Sequence, residues 1–554
     1  MAGPRILFHH LVEKNKMAAV RGEKEEINMG NPDFRMERKK NHRRVFFLFD
    51  ALFLALLGAY VFLGMTRVPF HVDESTLIRL SMDFAYIFQD RAIQKVIYHP
   101  TTGFWSVEQY QRELTGSIDP LTIGMAWSAA GMDRGDLNGF WVWLPPDVND
   151  EWAFNVQIGN MPGIRLLDIS RIPSTLFTAI SIAVVFFIAL GLSRSRPAAW
   201  IAAFLYATTP SILVNGRRAM QEGGLLLFTS LVVFGTLYIL RLIREEKLRW
   251  RRIIPGFGLF GLASGLALAS KHTSALVIAP AFFAIFILLW FAGGELESRE
   301  KTAVHFRLLF GLLGSGLLGL SVFYILMPVW WLYRFHWLIL LCLSAVCFTI
   351  GLPKPGWGIW IARTISIAGV LLISVFAAQA WNGIYQPIGT MLQIRAEIMF
   401  AQQALGRDMS TAESRIGEMA DQLLFAKTQY YESHTWDGLE EEQTQIRVYE
   451  DAHLDGRGGG MGWGIVVLVL VVGGLWVTLF RRRGWETLLL LSWLAVPAAI
   501  LLLTNPLPFQ RYYIVLIAPW SVLAGFAAVP FTTSDFLGSV RKFLVWRNSA
   551  AKSD

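Results

Sequence analysis

Long apolar blocks, separated by short polar stretches, constrain the fold of this chain more than any other feature of its sequence. Blocks of about 17–25 residues allow an α-helix to cross the roughly 30 Å of hydrocarbon in a membrane. Backbone polar groups inside lipid must be satisfied within the segment, so each block is expected to be a helix. Of the 554 residues, 54% are hydrophobic and 17% charged, whereas soluble domains carry roughly a quarter charged residues. The sequence therefore predicts an all-α polytopic membrane protein.

About twelve blocks are long enough to be predicted spans. The basic clusters between them fall on one side if the blocks alternate in direction, which marks that side as cytoplasmic. Both termini are therefore predicted to be cytoplasmic, and the net charge of +8 needs no nucleic-acid partner to explain it. The predicted spans are residues 45–65, 172–192, 198–214, 223–242, 253–269, 274–291, 308–327, 337–351, 365–380, 462–480, 487–503 and 513–530.

The same pattern divides the chain into parts. Residues 1–44 form a basic cytoplasmic tail that lacks the apolar core of a signal peptide. In the outer loop 66–171, the stretches 75–88 and 121–132 are expected to be interfacial or re-entrant helices. The other predicted parts are a transmembrane catalytic module that contains this loop (45–330), variable transmembrane helices (331–380), an extracellular helical insert (381–461), C-terminal transmembrane helices (462–531) and a cytoplasmic tail (532–554).

The acidic pair Asp73-Glu74, directly after the first predicted span, is the most informative polar feature. Carboxylates beside a membrane are costly unless they are solvated or used. Asp73 precedes an apolar run, so it is expected either to cap the next helix or to act as a general base. In the second case the low-dielectric boundary raises its proton affinity, and Glu74 orients it or an acceptor.

A short turn after the third predicted span carries Arg217, Arg218 and Glu222. Two arginines on the outer side oppose the positive-inside trend. They are expected either to snorkel to the lipid surface or to pair with a phosphate. In the second case Glu222 supports a donor sugar or a metal.

Two further polar groups lie at span ends on the same predicted side. Lys271-His272 separates two spans, and Arg511-Tyr512 precedes the last one. A lipid phosphate at the membrane surface needs cationic and hydroxyl donors at that depth. Each group alone is typical of snorkelling, but together with Asp73 they form a constellation that favours a phosphate site.

Several classes of protein find no support in the sequence. It has no P-loop, dinucleotide fingerprint or clustered His/Cys metal site. Its two cysteines, Cys342 and Cys347, share one apolar block and imply no disulfide framework. The predicted spans are nearly free of ionisable residues and no internal repeat is evident, which disfavours an ion-coupled transporter.

The motifs, in their order, resemble those of the GT-C superfamily of membrane glycosyltransferases. The resemblance is to the bacterial dolichyl-phosphate-mannose-protein mannosyltransferase and aminoarabinose-transferase type, and it covers about residues 45–330. The matching motifs are Asp73-Glu74, His99-Pro100, Arg171-Ile172-Pro173-Ser174, Ala207-Thr208-Thr209-Pro210, Glu222, Gly265-Leu266-Ala267 before Lys271, and the late Arg511-Tyr512.

This resemblance implies a GT-C-like helix bundle and specific residue roles. Asp73 is implied to be the catalytic carboxylate, Glu222 a second acidic residue of the site, and Lys271 with Arg511 the contacts of a carrier phosphate. The chain departs from the family where His-Pro-Pro-Leu is replaced by His99-Pro100-Thr101-Thr102 and where Gln221 precedes Glu222. The acceptor and donor sites are expected to differ there.

We therefore predict an inverting glycosyltransferase that moves a sugar from a polyprenyl-phosphate carrier to an acceptor hydroxyl. The site is expected on the outer face of a bacterial plasma membrane, and no cofactor is required, although Mg or Mn is left open. Asp73 and Glu74 are the predicted catalytic pair, and His99 is assigned to the acceptor side. The residues assigned to the donor are Glu222, Arg218, Lys271, His272, Arg511 and Tyr512. The competing hypotheses are a multi-pass transporter or lipid flippase, and an inactive scaffold of the same fold.

Overall fold

A computed structural model describes most of the chain as α-helix. The described residues are 32–97, 107–144, 151–244, 250–291, 298–331, 336–350, 411–425, 428–431, 440–457, 460–481, 484–505 and 507–532, with a few more (364, 368, 389, 392–394, 396–397 and 409) between 351 and 410. Within these ranges no β-strand occurs, and the predicted all-α class is confirmed. The chain divides into two compact units, residues 1–57 and 58–554. The described part of the first unit, 32–57, is entirely helical.

Some of the connections that the structure describes are 3-10 or π in form. In chain order they are α1 Pro32–Leu63, α2 Val72–Leu80, α3 Val107–Leu114, α4 Ile118–Ala129, α5 Glu151–Gln157, α6 Ile164–Ser193, α7 Arg196–Ala207, α8 Pro210–Arg217, α9 Glu222–Arg244, α10 Trp250–Ser270, α11 Ala275–Phe291, α12 Ser298–Leu326, α13 His336–Ile350, α14 Ala412–Ala420, α15 Glu440–Asp451, α16 Met461–Trp476, α17 Trp485–Thr504 and α18 Ile517–Gly525. A helical turn, Gln510–Tyr513, leads into α18.

Eight of the described helical segments are long and apolar enough to cross a membrane, and α7 with α8 adds a ninth if the bent pair is one span. The protein is therefore an integral membrane protein. The blocks predicted at 274–291 and 337–351 form the shorter helices α11 and α13. The block predicted at 365–380 lies almost entirely outside the described residues. The count of about twelve spans stays a prediction.

The break between α7 and α8 positions the polar turn that follows them. Pro210 lacks a backbone N–H and disfavours helical geometry in the residue before it, so one helix ends and another begins at an angle of 58°. The second helix then ends at Arg217 against α6, where Ser174 and Thr178 donate hydrogen bonds to the Gly216 carbonyl at 3.2 and 3.1 Å.

The loop between α1 and α6 folds into a layer of helices with its own apolar core. The stretches predicted at 75–88 and 121–132 are helical, as α2 with its short continuation and as α4. Phe70, Trp141 and Trp152 pack with ring centroids 5.6–5.9 Å apart, and Trp127 is fully buried. Because aromatic burial contributes much apolar area, this core fixes the backbone that leads into α2.

Candidate active site

The start of α2 is fixed by a reciprocal pair of hydrogen bonds. His71 Nδ1 accepts from the Asp73 N–H at 3.1 Å, and Glu74 Oε2 accepts from the His71 N–H at 3.0 Å. This is a capping box, which satisfies backbone donors that the helix leaves free. His71 is therefore the cap, and the capping role considered for Asp73 belongs to its neighbour. Burial lowers the pKa of His71 to about 3, so its ring is neutral.

Glu74 is an anchor between three parts of the chain. Its side chain is fully buried, and Arg171 of α6 donates to both of its oxygens at 2.8 Å. The Ala219 N–H donates to Glu74 Oε1 at 2.8 Å, and Arg171 also donates to the Met65 carbonyl at 3.1 Å. A buried carboxylate needs such charge-assisted partners. A direct catalytic part for Glu74 stays a prediction.

Asp73 faces the other way and forms an ion pair with Arg511. The Arg511 Nη1 donates to Asp73 Oδ2 across 438 positions of sequence, and the side chains are 17% and 35% exposed. Withdrawal from water alone would raise the pKa of Asp73, but the charges of Arg511 and Lys271 hold that pKa well below its usual value. The predicted meeting of Asp73 with the late Arg511 is present in the structure.

A second ion pair adjoins the first. Lys271, directly after α10, donates to Glu222 Oε1 at the start of α9, and both side chains are buried. The Tyr512 ring centroid lies 6.0 Å from Lys271 Nζ and 6.0 Å from the Arg511 guanidinium carbon. Tyr512 therefore lies beside the cation of each ion pair.

Asp119, at the start of α4, joins this site without having been predicted. Its side chain is buried, and its Oδ2 accepts from Ser270 Oγ at 2.7 Å. Burial and the nearby Glu222 raise the pKa of Asp119 to about 7. Among the described residues, neither Asp119 Oδ1 nor Glu222 Oε2 has a hydrogen-bond partner. The sequence does carry a signal here, since Asp119 opens an apolar stretch too short to span.

Gly224 shows how closely α4 approaches the ends of α9 and α10. A Cβ atom at this position would lie 2.9 and 3.1 Å from the two carboxylate oxygens of Asp119, and would also meet Ser270 Oγ. Glycine is therefore required for this close approach. The two acids and Lys271 are held in one tight cluster.

The remaining predicted site residues lie in different surroundings. Arg218 is buried and donates to the main-chain carbonyls of Pro69 and Tyr430 at 3.1 and 2.7 Å. His272 is buried with its ring 6.2 Å from Phe323. Donor roles for Arg218 and His272 stay predictions. His99, predicted on the acceptor side, lies outside the described residues.

Metal binding was left open by the sequence. Within the described residues, no three His, Cys, Asp or Glu side chains converge as metal ligands. The described side-chain hydrogen bonds of Asp73, Glu222 and Asp119 are to Arg511, Lys271 and Ser270, respectively. These carboxylates are thus placed beside cations that an anionic ligand would also seek.

Residues 155–384 match the family described as dolichyl-phosphate-mannose-protein mannosyltransferase. The matched segment is less than half of the chain; it contains Glu222 and Lys271, whereas Asp73 and Arg511 lie outside it. With the helical membrane fold, this match confirms the resemblance to the GT-C glycosyltransferases. Among curated proteins, none matches this chain.

Solved structures of three such enzymes are similar to the chain. The S. cerevisiae protein O-mannosyltransferase Pmt1-Pmt2 complex bound to the sugar donor is 16% identical, with a TM-score of 0.34 over 50% of this chain and 34% of that chain. The Archaeoglobus fulgidus oligosaccharyltransferase AglB with an inhibitory peptide and a dolichol-phosphate is 14% identical, with a TM-score of 0.41 over 86% of this chain and 50% of that chain. ArnT from Cupriavidus metallidurans bound to undecaprenyl phosphate is 12% identical, with a TM-score of 0.33 over 85% of this chain and 77% of that chain. The chain thus spans about a third of the yeast chain and half of the archaeal chain. Because these TM-scores are low, the solved structures do not strengthen the family match.

Proposed function

We propose that this protein is a glycosyltransferase that moves a sugar from a polyprenyl-phosphate carrier to an acceptor hydroxyl, with inversion. The observation that carries the proposal is the pairing of Asp73 with Arg511 beside the pair of Glu222 with Lys271. Two cations held by carboxylates at one end of the helix bundle suit an anionic phosphate that competes for them. The family match supports the same class of reaction.

In the resting site, Asp73 is a poor base because Arg511 stabilises its ionised form. A carrier phosphate that takes the hydrogen bonds of Arg511 weakens this stabilisation while the carboxyl stays partly withdrawn from water. The pKa of Asp73 then rises, since desolvation favours the neutral acid. Donor binding thereby prepares the base, and proton removal waits until the sugar is in place.

The chemical step is one displacement. The acceptor oxygen transfers its proton to Asp73 and attacks the anomeric carbon as the bond from that carbon to the phosphate oxygen breaks. Polyprenyl phosphate leaves with the bond's electron pair, and Lys271 and Arg511 are fixed where this negative charge grows. Attack from the face opposite the leaving group inverts the anomeric centre.

Asp119 and Glu222 are the proposed contacts of the donor sugar. Each is buried and holds one carboxylate oxygen that lacks a hydrogen-bond partner among the described residues. A buried polar atom without a partner is costly, and sugar hydroxyls are donors that would satisfy it. Both acids lie beside Lys271, where the sugar next to a bound phosphate would be.

We place the site on the outer face of a bacterial plasma membrane, with both termini cytoplasmic. What supports this is the distribution of the basic clusters between the apolar blocks. Protein, lipid and glycan all remain acceptor candidates, because each offers the hydroxyl that the step needs.

The test is transfer of radiolabelled sugar from polyprenyl-phosphate donors by the purified protein in vesicles. Asp73→Asn is expected to lower transfer by about 100- to 10,000-fold, the usual range for loss of a general base. The matched control is Asp90→Asn, which removes an exposed carboxylate paired with Arg134 and should keep full activity. Undiminished transfer by the Asp73 variant would reject its role. Absence of transfer from a panel of donors by folded native protein would favour the transporter or scaffold hypothesis.

A further inference from the structure

The residue before Arg511 is held by a segment from a distant part of the chain. Gln510 is buried, and its Nε2 donates to Gln422 Oε1 at 2.7 Å. Its backbone N–H donates to Gln429 Oε1 at 2.7 Å, and the Gln429 amide also donates to the Pro508 carbonyl at 3.1 Å. The turn that presents Arg511 is therefore bonded at its side chain and at its main chain.

The same segment also bonds the backbone beside Asp73. Gln445 of α15 accepts from the Phe70 N–H at 2.9 Å, and Phe70 directly precedes His71, the cap of α2. The described residues between 411 and 457, which we call the strap, thus contact the chain next to each partner of the Asp73–Arg511 pair.

Two buried arginines fix the strap to the helices below it. Arg217 donates to the Tyr449 hydroxyl and the Leu454 carbonyl, and also to the main chain of α1 at Val61. Arg218 donates to the Tyr430 carbonyl at 2.7 Å. Charged donors that are withdrawn from water stabilise such contacts strongly, because breaking them would leave a buried charge unpaired. The strap is therefore tightly attached to the rest of the protein at these two arginines.

We propose that the strap is part of the catalytic machinery, and that Gln429 is a positioning residue which, through Gln510, holds Arg511 against Asp73. This inference rests on the proposed transferase function for its catalytic meaning, although the positioning itself does not depend on it. Arg511 has a long side chain with several rotatable bonds, so its guanidinium reaches one place reliably only if its backbone is fixed.

Arg511 is the group facing Asp73 that the strap controls through Gln510. His71 and Lys271 also lower the pKa of this carboxyl; Lys271 follows α10 and pairs with Glu222. His71 is the cap of α2, and Arg218 lies near it. Loosening Gln510 should therefore change the proton affinity of Asp73 through Arg511, the residue that follows it.

The test compares Gln429→Met, which removes both side-chain hydrogen bonds, with Gln429→Glu, which keeps an oxygen for the Gln510 N–H. Gln393→Met is the matched control, because Gln393 is exposed and its amide donates to Glu397 four positions on. A hydrophobic carbodiimide, which reacts with protonated carboxyls, is titrated against pH, and the label on Asp73 is read by mass spectrometry. Sugar transfer is measured across the same pH range.

Gln429→Met should take up label on Asp73 at a pH about one or more higher than native protein, as expected for loss of a paired arginine. Its transfer should fall about tenfold, with the acidic limb of the pH–rate profile moved to higher pH. Gln429→Glu should restore most of the transfer, and Gln393→Met should match native protein. If Gln429→Met does not fold, Gln422→Met, which removes one bond to Gln510, replaces it.

An unchanged labelling profile in folded Gln429→Met or Gln422→Met would overturn the inference. A shifted profile in a protein that transfers no sugar would reject the proposed function while supporting the positioning of Arg511. Lower transfer with unchanged labelling would mean that the strap acts on the site by some other route, and that result also overturns the inference.

Discussion

Asp73 and Glu74 are neighbours in sequence, but their side chains point into two different surroundings. Glu74 is fully buried and accepts four hydrogen bonds, two from Arg171 and one each from the backbone of His71 and Ala219. An ionised carboxylate has about four acceptor positions, so Glu74 has none left for a ligand. Asp73 is 35% exposed, and its ion pair is with Arg511.

The difference between the two acids lies in what their partners can do. Arg171, in α6, is fixed between Glu74 and the Met65 carbonyl. Arg511 stands at a partly exposed site where a phosphate would compete for it. The same type of pair therefore stabilises the fold in one region, and in the proposed function it exchanges with a ligand in the other.

The sharpest way to break this comparison is to neutralise each acid in turn. Glu74→Gln leaves the buried Arg171 without its counter-charge and should cost about 3–5 kcal/mol of stability. Asp73→Asn breaks a partly exposed pair and should cost less than about 1 kcal/mol. Thermal unfolding of the purified protein in detergent measures both. Equal losses in the two variants would contradict the division into an anchor and a reactive acid.

A smaller effect is expected where α4 meets α9. Gly224→Ala places a methyl group against the Asp119 carboxylate and Ser270 Oγ, and such overpacking costs about 1–3 kcal/mol. Gly258→Ala, in α10, is the matched control because no atom lies near its added Cβ; it should gain about 0.5–1 kcal/mol from helix propensity. Melting temperature and donor affinity are the measurements. Tolerance of alanine at Gly224 would show that the site region is looser than the Glu74 region.

The smallest effect is a pH dependence with the opposite sign in the two kinds of acid. Burial raises the pKa of Asp119 and of Glu113 to about 7 in the folded protein. Because the folded state keeps these protons longer than the unfolded chain, their contribution is present below about pH 4 and is lost as the pH rises through about 7. The pKa of Asp73 is lowered, so its contribution is lost on acidification instead.

The melting temperature in detergent should therefore include a contribution from these two acids that falls as the pH rises from 5 to 8. Asp119→Asn removes one titrating group and should flatten that contribution, and adding Glu113→Gln should flatten it further. Asp90→Asn, at an exposed carboxylate, is the control that should leave the slope unchanged. A slope in Asp119→Asn identical to that of native protein would contradict a raised pKa at this position.

The helices and the outline of the site were predictable because their signals are local. Hydropathy and length identify a span without knowledge of its neighbours, which is why α6, α9 and α10 are found where the apolar blocks predicted them. Lys271 and Arg511 were predicted to lie together because both stand at span ends on one side. Membrane geometry brings such ends to a common depth.

What the sequence did not predict depends on partners far apart along the chain. Arg217 and Arg218 donate to main-chain carbonyls of the strap that lie 237 and 212 positions further along the chain, and no local sequence pattern predicts these contacts. His71 replaces Asp73 as the cap because its ring and Glu74 act together, which the helix-start pattern alone did not distinguish. Asp119 was missed because its neighbours Ser270 and Glu222 come from other helices.

The distance between the arginines and the strap also bears on how the protein is made. Arg217 and Arg218 leave the ribosome long before their partners Leu454 and Tyr430, which follow 237 and 212 positions later. At the usual speed of translation this is a delay on the order of ten seconds or more. During that interval the first helices can insert into the membrane before the partners of Arg217 and Arg218 have been made. A nascent chain that stops before residue 430 lacks both of these partners, so the contacts that attach the strap form only after most of the chain has been made.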